Sequence, residues 1–522
     1  MHSASFALLA AALVGTACSS GSESSDRERT ATTAAPTTPR PTPGADVVVP
    51  AATAEVVATT DERFQSFNLE MASVLGGTFW APFDDPSGEA MSAHPPIELD
   101  ERLVNLTKRL SPNYLRVSGS WANQIYFDDS EDPRTEPPDG FKAVLTAERW
   151  EEVNRFAADL GNRIVTSFSV SPGTRDADGR WTTEQAERFL RFTVDHDLPV
   201  DAAEFINEPN VQATTGGQYT AEGFARDFRT LMELRDRVAP KLRLLGPGAA
   251  EPAHDMPKAV DDPNSEQLLG ATGDLFDGYS YHFYSGMSSR CPGLPQIPVD
   301  RLMEREVLAI PLRGIQRSKE LRDRYLPGKE IWLTETATAA CGGDPTASKF
   351  EGAFAYLEHL ADAAKGGIWV SMHNTLVGSD YGLIDDRTHE PRPSYWAAVL
   401  WKKLMGPKVL DVAPATANDK VSVYGHCVTG ADEGSVAVLV NNRDPARGYT
   451  LDLGSERADV YTLTALDPGA TAVELNGQTL PVTVDGTFPE PRPVRASGRA
   501  LAVPPTSITF VTLPDAHSTA CS

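Results

Sequence analysis

Two glutamates, Glu335 and Glu208, follow apolar runs of the kind that form short buried β-strands. Glu335 ends the run Ile-Trp-Leu-Thr-Glu and precedes a loop of small residues that contains two glycines. Glu208 ends a second run within Asn-Glu-Pro-Asn, where the proline stops the strand. A buried carboxylate is costly unless it has a partner or a function. In a barrel of parallel strands, the carboxyl ends of the strands face the active site, so both glutamates are candidates for one site.

A pair of carboxylates placed in this way suits the hydrolysis of a glycosidic bond by double displacement. One carboxyl group must donate a proton to the leaving oxygen, and the other must be ionised and attack the anomeric carbon. Retention of configuration requires the two groups to lie roughly 5–5.5 Å apart. Either glutamate alone is as readily explained by a structural role. Their order within one repeating βα pattern favours catalysis, without a metal or an organic cofactor.

The elements that must position these residues alternate along the chain between strand and helix. Apolar runs typical of buried strands occur at 64–70, 114–120, 163–170, 202–210, 242–247, 278–284, 331–335 and 367–373. Helical spacing of apolar residues occurs at 96–110, 147–160, 183–195, 221–239, 300–325 and 350–364. This alternation predicts an α/β fold, a (β/α)8 TIM barrel over residues 63–405.

The pattern changes in the last part of the chain. Residues 406–522 contain short alternating runs separated by Asn-Gly, Asp-Gly and Asp-Pro-Gly turns, with no helical periodicity. They predict a C-terminal all-β sandwich domain. Residues 46–62 contain strand-like runs that are expected to join this sandwich.

The N-terminal segment predicts export. Residues 1–17 are rich in Ala and Leu but too short to span a bilayer, which is typical of a signal peptide. The segment 13–18 resembles a bacterial lipobox, with Cys18 as the lipidation site; the alternative is an ordinary signal peptide that contains a cysteine. Residues 18–45, rich in Ser, Thr and Pro, predict a disordered tether. We therefore expect a cell-surface lipoprotein or a secreted protein, whose only membrane contact is the lipid anchor.

Charge and cysteine content restrict partners and compartment. The formal net charge is −25, which argues against nucleic acid, anionic membranes and densely sulfated polymers as partners. Besides Cys18 there are four cysteines, which predict two disulfides in an exported chain and allow three pairings. Cys427 and Cys521 both fall in the β region, so we pair them. Cys291 and Cys341 follow barrel strands whose loops share a face, so they can form a bridge.

Several motifs resemble glycoside hydrolase family 79, the heparanase and β-glucuronidase family of the clan A retaining glycosidases. The Phe-Ile-Asn-Glu-Pro-Asn segment resembles the acid/base motif on the fourth strand of clan A enzymes. The segment from Trp332 to Gly343 is similar to the family's nucleophile strand and the loop after it. Further similar segments lie at 111–116, 380–385, 393–396, 402–410, 423–427 and 475–480.

The resemblance implies roles for individual residues. Glu208 would be the acid/base, Glu335 the nucleophile, and Asn207 would bind the sugar 2-hydroxyl. The glucuronate carboxylate and the remainder of the same sugar subsite would be bound by Gly342, Gly343, Tyr381, Glu70, Ser120, His282 and Tyr284, with Tyr284 also bonding the nucleophile. Arg116 would support Glu335 as a neighbouring positive charge, or would form a salt bridge in the barrel core. The resemblance also supports the Cys427–Cys521 pair.

The chain departs from the family pattern at two of these positions. Glu70 stands where animal members have Asp, and Cys341 replaces a Gly in the carboxylate-binding loop. The implied substrate is a glucuronide-containing glycan or a small glucuronide, with endo or exo cleavage left open. Two alternatives are a clan A hydrolase of neutral sugars, such as an arabinofuranosidase or xylosidase, and a non-catalytic carbohydrate-binding surface lipoprotein.

Overall fold

The structure, a computed structural model, describes residues 44–211, 219–252, 262–412, 419–430 and 433–522. The predicted signal peptide, Cys18 and nearly all of the predicted tether lie outside these ranges. Within them, no helix is both long enough and apolar enough to cross a membrane.

Eight parallel strands close into a barrel in chain order, with the last strand pairing with the first. The predicted (β/α)8 fold is thus confirmed. The strands are β1 (Gln65–Glu70), β2 (Tyr114–Ser118), β3 (Arg163–Ser167), β4 (Val200–Glu204), β5 (Arg243–Glu251), β6 (Gly278–Met287), β7 (Ile331–Ala340) and β8 (Val370–His373).

One principal helix follows each barrel strand. These helices are α1 (Glu101–Lys108), α2 (Ala147–Asp159), α3 (Glu184–Asp195), α4 (Ala221–Val238), α5 (Ser265–Thr272), α6 (Pro311–Tyr325), α7 (Phe350–Lys365) and α8 (Pro393–Leu404). Local sequence fixes several of their starts. Asp100 and Thr146 accept hydrogen bonds from the third residues of α1 and α2, and Asn264 forms a capping box on α5. Pro311 and Pro393 occupy first turns, where a missing N–H costs little.

Shorter elements decorate the barrel. An antiparallel hairpin (Gly77–Trp80 with Met91–His94) follows β1, and a parallel pair (Ile125–Asp128 with Ala143–Thr146) follows β2. Single helical turns of the barrel lie at Met71–Leu75, Ala122–Gln124, Pro172–Thr174, Val299–Arg301 and Arg305–Leu308, and a further turn, Thr519–Cys521, lies in the C-terminal region.

The C-terminal region consists of two sheets that pack around one core. A nine-stranded sheet contains Val56–Thr59, Met405–Leu410, Val421–Val428, Val436–Asn442, Arg457–Thr464, Glu474–Leu475, Gln478–Thr479, Val494–Ser497 and Ser507–Leu513. A three-stranded sheet contains Val47–Val48, Tyr449–Asp452 and Ala500–Val503. Val47 and Leu451 of the smaller sheet share a buried cluster with Val438 and Val511 of the larger one. Strands from residues 46–62 thus belong to both sheets.

A buried polar cluster connects α7 with the nine-stranded sheet. Glu358 accepts hydrogen bonds from Arg443 at 2.7 Å, Tyr424 at 2.6 Å and Asn441 at 3.1 Å. The side chains of Arg443 and Glu358 are fully buried. Burial raises the pKa of nearby Asp362 to about 7, and the charge of Glu358 adds to this effect.

Two disulfides join Cys291 to Cys341 and Cys427 to Cys521. These are the pairs favoured by the sequence. The first links the loop after β6 to the end of β7. The second fastens the C-terminus to the strand Val421–Val428 of the larger sheet.

Candidate active site

Glu335 lies within β7 rather than at its end, since the strand continues to Ala340. The register between β6 and β7 shifts by one residue just before this point, so that His282 pairs with Glu335. This irregularity brings the glutamate to the inner face of the barrel. Tyr284 donates to Oε1 of Glu335 at 2.6 Å, and Arg116 donates from Nη1 to Oε2 at 2.9 Å. Both carboxylate oxygens therefore have a fixed direction.

Glu208 lies four residues beyond the end of β4, which stops at Glu204. The expectation that Glu208 itself ends the strand is therefore wrong. Glu208 has a φ of +52°, an uncommon conformation for a residue with a side chain. The Asn123 side chain holds the preceding residue from both sides, accepting from Asn207 N at 3.0 Å and donating to Asn207 O at 2.9 Å. This side-chain clamp acts together with a backbone hydrogen bond from Glu208 N to Gly248 O on β5, 3.1 Å long.

The two glutamates face each other across a cleft of about 660 Å³. An oxygen of the Glu208 carboxylate, an oxygen of the Glu335 carboxylate and a ring nitrogen of His282 all lie within 4.8 Å of one another. A separation of no more than 4.8 Å between these two oxygens is compatible with the roughly 5–5.5 Å between carboxyl groups that double displacement with retention requires.

Arg116 is the centre of a buried hydrogen-bond network beneath the cleft. Besides Glu335, its guanidinium donates to Glu204 Oε2 and to Asn207 Oδ1, at 2.8 Å in each case. Although burial disfavours the charged form, the charge of Arg116 holds the pKa of Glu204 well below its usual range. Both interpretations of Arg116 therefore describe part of the observed arrangement: it contacts Glu335 and forms a salt bridge in the core.

His282 lies between the two glutamates. Its Nδ1 is 3.1 Å from Glu208 Oε1 and 3.6 Å from Glu335 Oε2. Burial lowers the pKa of His282, but the charge of Glu335 and hydrogen bonds to Glu204 and Glu208 raise it to about 9. The 3.2 Å distance from His282 Nε2 to Arg116 Nη2 would suit a neutral ring. We take the ring as protonated, because the surrounding carboxylates outnumber the single guanidinium.

Glu70 ends β1 on the opposite side of the cleft from Glu208. It lies directly over Gly119, where a Cβ atom would be 2.0 Å from Glu70 Oε2. Burial and the charge of Glu335 raise the pKa of Glu70 to about 8. At neutral pH this carboxyl group therefore keeps its proton and can donate a hydrogen bond.

The other residues predicted for the site differ in whether they line the cleft. Asn207, Ser120, Tyr284 and Tyr381 line it, and Asn207 Nδ2 is 3.5 Å from Ser120 Oγ. Gly342 and Gly343 do not line it, although their neighbour Cys341 does. The structure therefore does not support the predicted direct contact of these two glycines with the substrate.

The loop after β7 adopts a left-handed backbone at three successive residues. Cys341, Gly342 and Gly343 have φ values of +61°, +83° and +87°. This conformation favours glycine, which explains why Cys341 is an unusual replacement, and the disulfide to Cys291 holds it in place. In the described part of the chain, the amides of Gly342 and Gly343 donate to no protein acceptor.

Three residues important to this geometry were missed by the sequence analysis: Glu204, Asn123 and Arg290. Arg290 donates to Gly342 O at 3.0 Å and to Asp380 Oδ2 at 2.9 Å. A charged residue within the apolar run before Glu208 was a visible signal for Glu204. Asn123 and Arg290 lie in loops, where no sequence pattern distinguished them.

One group of three potential metal ligands occurs in the described ranges, formed by Glu208, His282 and Glu335. The Arg116 guanidinium already occupies one oxygen of Glu335 at 2.9 Å, and a protonated His282 has no free lone pair to offer. Two positive groups at this position disfavour a cation. The arrangement fits proton transfer and nucleophilic attack better than metal binding.

Comparisons with known proteins agree with this geometry. The family model described as glycosyl hydrolase family 79, N-terminal domain, matches residues 96–361. Inactive heparanase-2 of Homo sapiens is 27% identical over 405 residues, covering 72% of this chain and 66% of that protein, just under two thirds of its length. Heparanase of Mus musculus is 26% identical over 481 residues, covering 80% and 87%.

Similar solved structures share the fold. A 4-O-α-L-rhamnosyl-β-D-glucuronidase from Fusarium oxysporum superposes with a TM-score of 0.60 at 15% identity, covering 90% of this chain and all of that one. An α-L-arabinofuranosidase from Thermotoga maritima has the same TM-score and coverage at 16% identity. Both similarities are similarities of fold, that is, of how the barrel and the β region are built.

Proposed function

The chain belongs to glycosyl hydrolase family 79, and from this premise we propose that it is a retaining hydrolase of β-linked glucuronic acid. The observation that carries the proposal is the pair Glu208 and Glu335, whose carboxylate oxygens approach within 4.8 Å across the cleft. A non-catalytic barrel would have no need to hold a buried carboxyl group and a partly buried one face to face in a cleft.

The proposed mechanism has two displacement steps. Glu335 attacks the anomeric carbon while Glu208 protonates the leaving oxygen, giving a covalent glycosyl-enzyme intermediate and a released alcohol. Glu208 then removes a proton from water, which attacks the same carbon and frees Glu335. Arg116 and Tyr284 hold Glu335 in its direction of attack. Asn207, fixed by Asn123, is positioned to bond the 2-hydroxyl.

His282 has a defined part in this scheme. Its Nδ1 lies at hydrogen-bond distance from Glu208 Oε1, 3.1 Å, and within ion-pair distance of Glu335 Oε2, 3.6 Å. A positive ring at this position stabilises the ionised Glu335 nucleophile, and it stabilises Glu208 once that group has given its proton to the leaving oxygen. It also gives Glu208 a hydrogen-bond partner in the free enzyme.

Donor groups on the β7–β8 side of the cleft support a uronic acid as the substrate. Tyr381 lies against Gly343, whose added Cβ would be 3.0 Å from Tyr381 N. The amides of Gly342 and Gly343, which do not themselves line the cleft, have no protein acceptor among the described residues. Glu70, at the end of β1, keeps its proton at neutral pH. A sugar carboxylate in so acidic a protein requires donors of this kind rather than further carboxylates.

Two alternatives have specific support. The fold-level likeness to arabinofuranosidases makes a neutral sugar the second candidate substrate. The similarity to a protein named inactive heparanase-2 raises a carbohydrate-binding role without turnover. The buried and oriented carboxylate pair argues against the latter, since a binding protein needs neither a nucleophile nor an acid.

Export is part of the proposal. Two disulfides are typical of proteins outside the reducing cytoplasm. A polymeric glycan is then available as a substrate at the cell surface or in the medium. Lipidation of Cys18 remains a prediction that mass spectrometry of the mature chain would test.

A panel of aryl β-glycosides tests the function directly. We expect hydrolysis of the β-glucuronide, and little or none of the β-glucoside, β-xyloside and α-arabinofuranoside. Proton NMR of the first product should show the β-anomer, and the Glu335→Gln variant should show only background activity. Preference for a neutral glycoside would exclude a uronic acid as the substrate. A first product of inverted configuration would exclude the double-displacement mechanism.

A further inference from the structure

We propose that loops on the β8–β1 side close the cleft opposite Glu208, so that the enzyme removes only terminal uronic acid residues. This inference rests on the proposed function and concerns the same site. It assigns exo cleavage to the chain and identifies Arg290 as the positioning residue that holds the closure together.

The direction of the substrate follows from the barrel. In a barrel whose strands follow chain order, β4 and β8 lie diametrically opposite. Glu208, after β4, must reach the glycosidic oxygen on C1 in order to protonate it. In a β-linked pyranoside, the oxygens on C1 and C4 lie at opposite ends of the ring. The C4 oxygen therefore points toward the side of β8 and β1, where Glu70 lies.

On that side, the loop after β1 contacts the loops after β2, β7 and β8. Gly342 packs so closely on Trp80 that an added Cβ would lie 2.5 Å from Trp80 Cβ. The ring of Phe79 meets that of Trp121, after β2, at a centroid distance of 5.3 Å. The Phe83 amide donates to Asp380, after β8, at 3.1 Å. These contacts form a continuous wall.

Arg290 fastens this wall from within. Its guanidinium donates to Ala81 O after β1, to Gly342 O after β7 and to Asp380 after β8, and it stacks 3.7 Å above the ring of Phe83. The side chain is only 6% exposed. The adjacent disulfide at Cys291 adds a covalent link to the loop after β7. One buried cation therefore connects four loops.

The opposite side of the cleft extends outward instead. Beyond Glu208 its lining continues along the loops after β4, β5 and β6, through Asn210, Val211, Pro252, Asn264, Leu294 and Pro295. The described residues on this side therefore leave space for the leaving group, whereas a residue attached to the C4 oxygen would meet the wall. Such a site acts from the non-reducing end of a chain.

A comparison of two substrates tests whether the wall excludes a substituent on the C4 oxygen. We would compare aryl β-glucuronide with its 4-O-methyl derivative, which differs only at the oxygen that faces the wall. We expect kcat/KM for the methylated substrate to be lower by at least about tenfold, since a packed site rejects added volume. A smaller difference would overturn exo cleavage while leaving the proposed function intact. Inactivity on both substrates would overturn the proposed function and this inference with it.

The Arg290→Ala variant tests whether Arg290 holds the wall together. Loosening the wall should raise the relative kcat/KM for the methylated substrate, whereas Arg313→Ala, an exposed arginine on α6, should leave this ratio unchanged. An unchanged ratio in folded Arg290→Ala would overturn the role of Arg290. If that variant does not fold, the comparison of the two substrates with the unaltered enzyme still decides whether cleavage is exo.

Discussion

The guanidinium of Arg116 and the carboxylate of Glu335 are joined by a 2.9 Å hydrogen bond at the floor of the cleft, where neither side chain is more than 10% exposed. The same guanidinium bonds to Glu204 and Asn207. The position of the proposed nucleophile is therefore coupled to the residue that directly precedes the proposed acid/base. Arg116 thus links the two segments whose spacing double displacement depends on.

Replacing Arg116 by Met should strongly destabilise the protein. The variant removes the guanidinium that pairs with both Glu204 and Glu335 and leaves only the His282 ring beside them. Breaking a buried pair in this way costs about 3–5 kcal/mol. Urea unfolding at pH 7 measures the loss in the free energy of unfolding. Arg301→Met, which breaks an exposed pair with Glu304, should cost less than about 1 kcal/mol. Equal losses in the two variants would contradict the central role of Arg116.

Glu208→Ala should make the rate depend on the leaving group. For a poor leaving group, kcat/KM should fall by about 10²–10⁴-fold, the usual contribution of general acid catalysis. For an aryl group that leaves without protonation, the first step should be nearly unaffected, and added azide should restore turnover by replacing the activated water. Glu62→Ala, an exposed glutamate, is the control. A uniform loss for all leaving groups would exclude Glu208 as the acid.

Tyr284→Phe should lower kcat without unfolding the protein. The phenol donates to Glu335 at 2.6 Å and is itself bonded by Asn374 at 2.9 Å. Hydrogen bonds to charged groups contribute about 1.5–3 kcal/mol, which corresponds to a decrease in kcat of about 10- to 150-fold. Tyr281→Phe, on the same strand but outside the cleft lining, should retain full activity. A normal kcat in Tyr284→Phe would show that Arg116 alone orients the nucleophile.

Glu70 should make stability depend on pH in a defined window. Its pKa is raised from 4.5 to about 8 in the native state. Between these values the native state retains a proton that the unfolded chain releases, so stability falls as pH rises and levels off above about pH 8. Glu70→Gln removes this dependence, and its stability relative to the unaltered protein should increase from pH 5 to pH 8. Urea unfolding at several pH values measures the difference, with Glu62→Gln as the control. A constant difference across the window would contradict the raised pKa.

Sequence periodicity was sufficient for the barrel because its strands and most of its helices each bury one recognisable face. It missed α5, which has only eight residues. It also missed α8, since Pro393–Leu404 is buried on nearly all sides between barrel and sheet and shows no polar face. It placed Glu208 at a strand end because an apolar run cannot reveal that β4 stops at Glu204. The clamp by Asn123 comes from a distant loop, and such tertiary contacts leave no local pattern. The two glutamates themselves were identifiable because charge in an apolar run is rare.

The contact between α7 and the nine-stranded sheet provides a last prediction, independent of the cleft. Arg443 and Glu358 are fully buried and 2.7 Å apart, so Arg443→Met should lower the free energy of unfolding by about 3–5 kcal/mol. Tyr424 and Asn441 also donate to Glu358, so the Glu358→Gln change made together with Arg443→Met should recover part of this loss. Arg447→Met, which removes a pair with Asp46 that is largely exposed on the arginine side, is the matched control. Because Glu358 does not line the cleft, KM on the aryl glucuronide should be unchanged. If Arg443→Met costs no more than Arg447→Met, the buried Arg443–Glu358 pair does not contribute to holding the barrel and the sheet together.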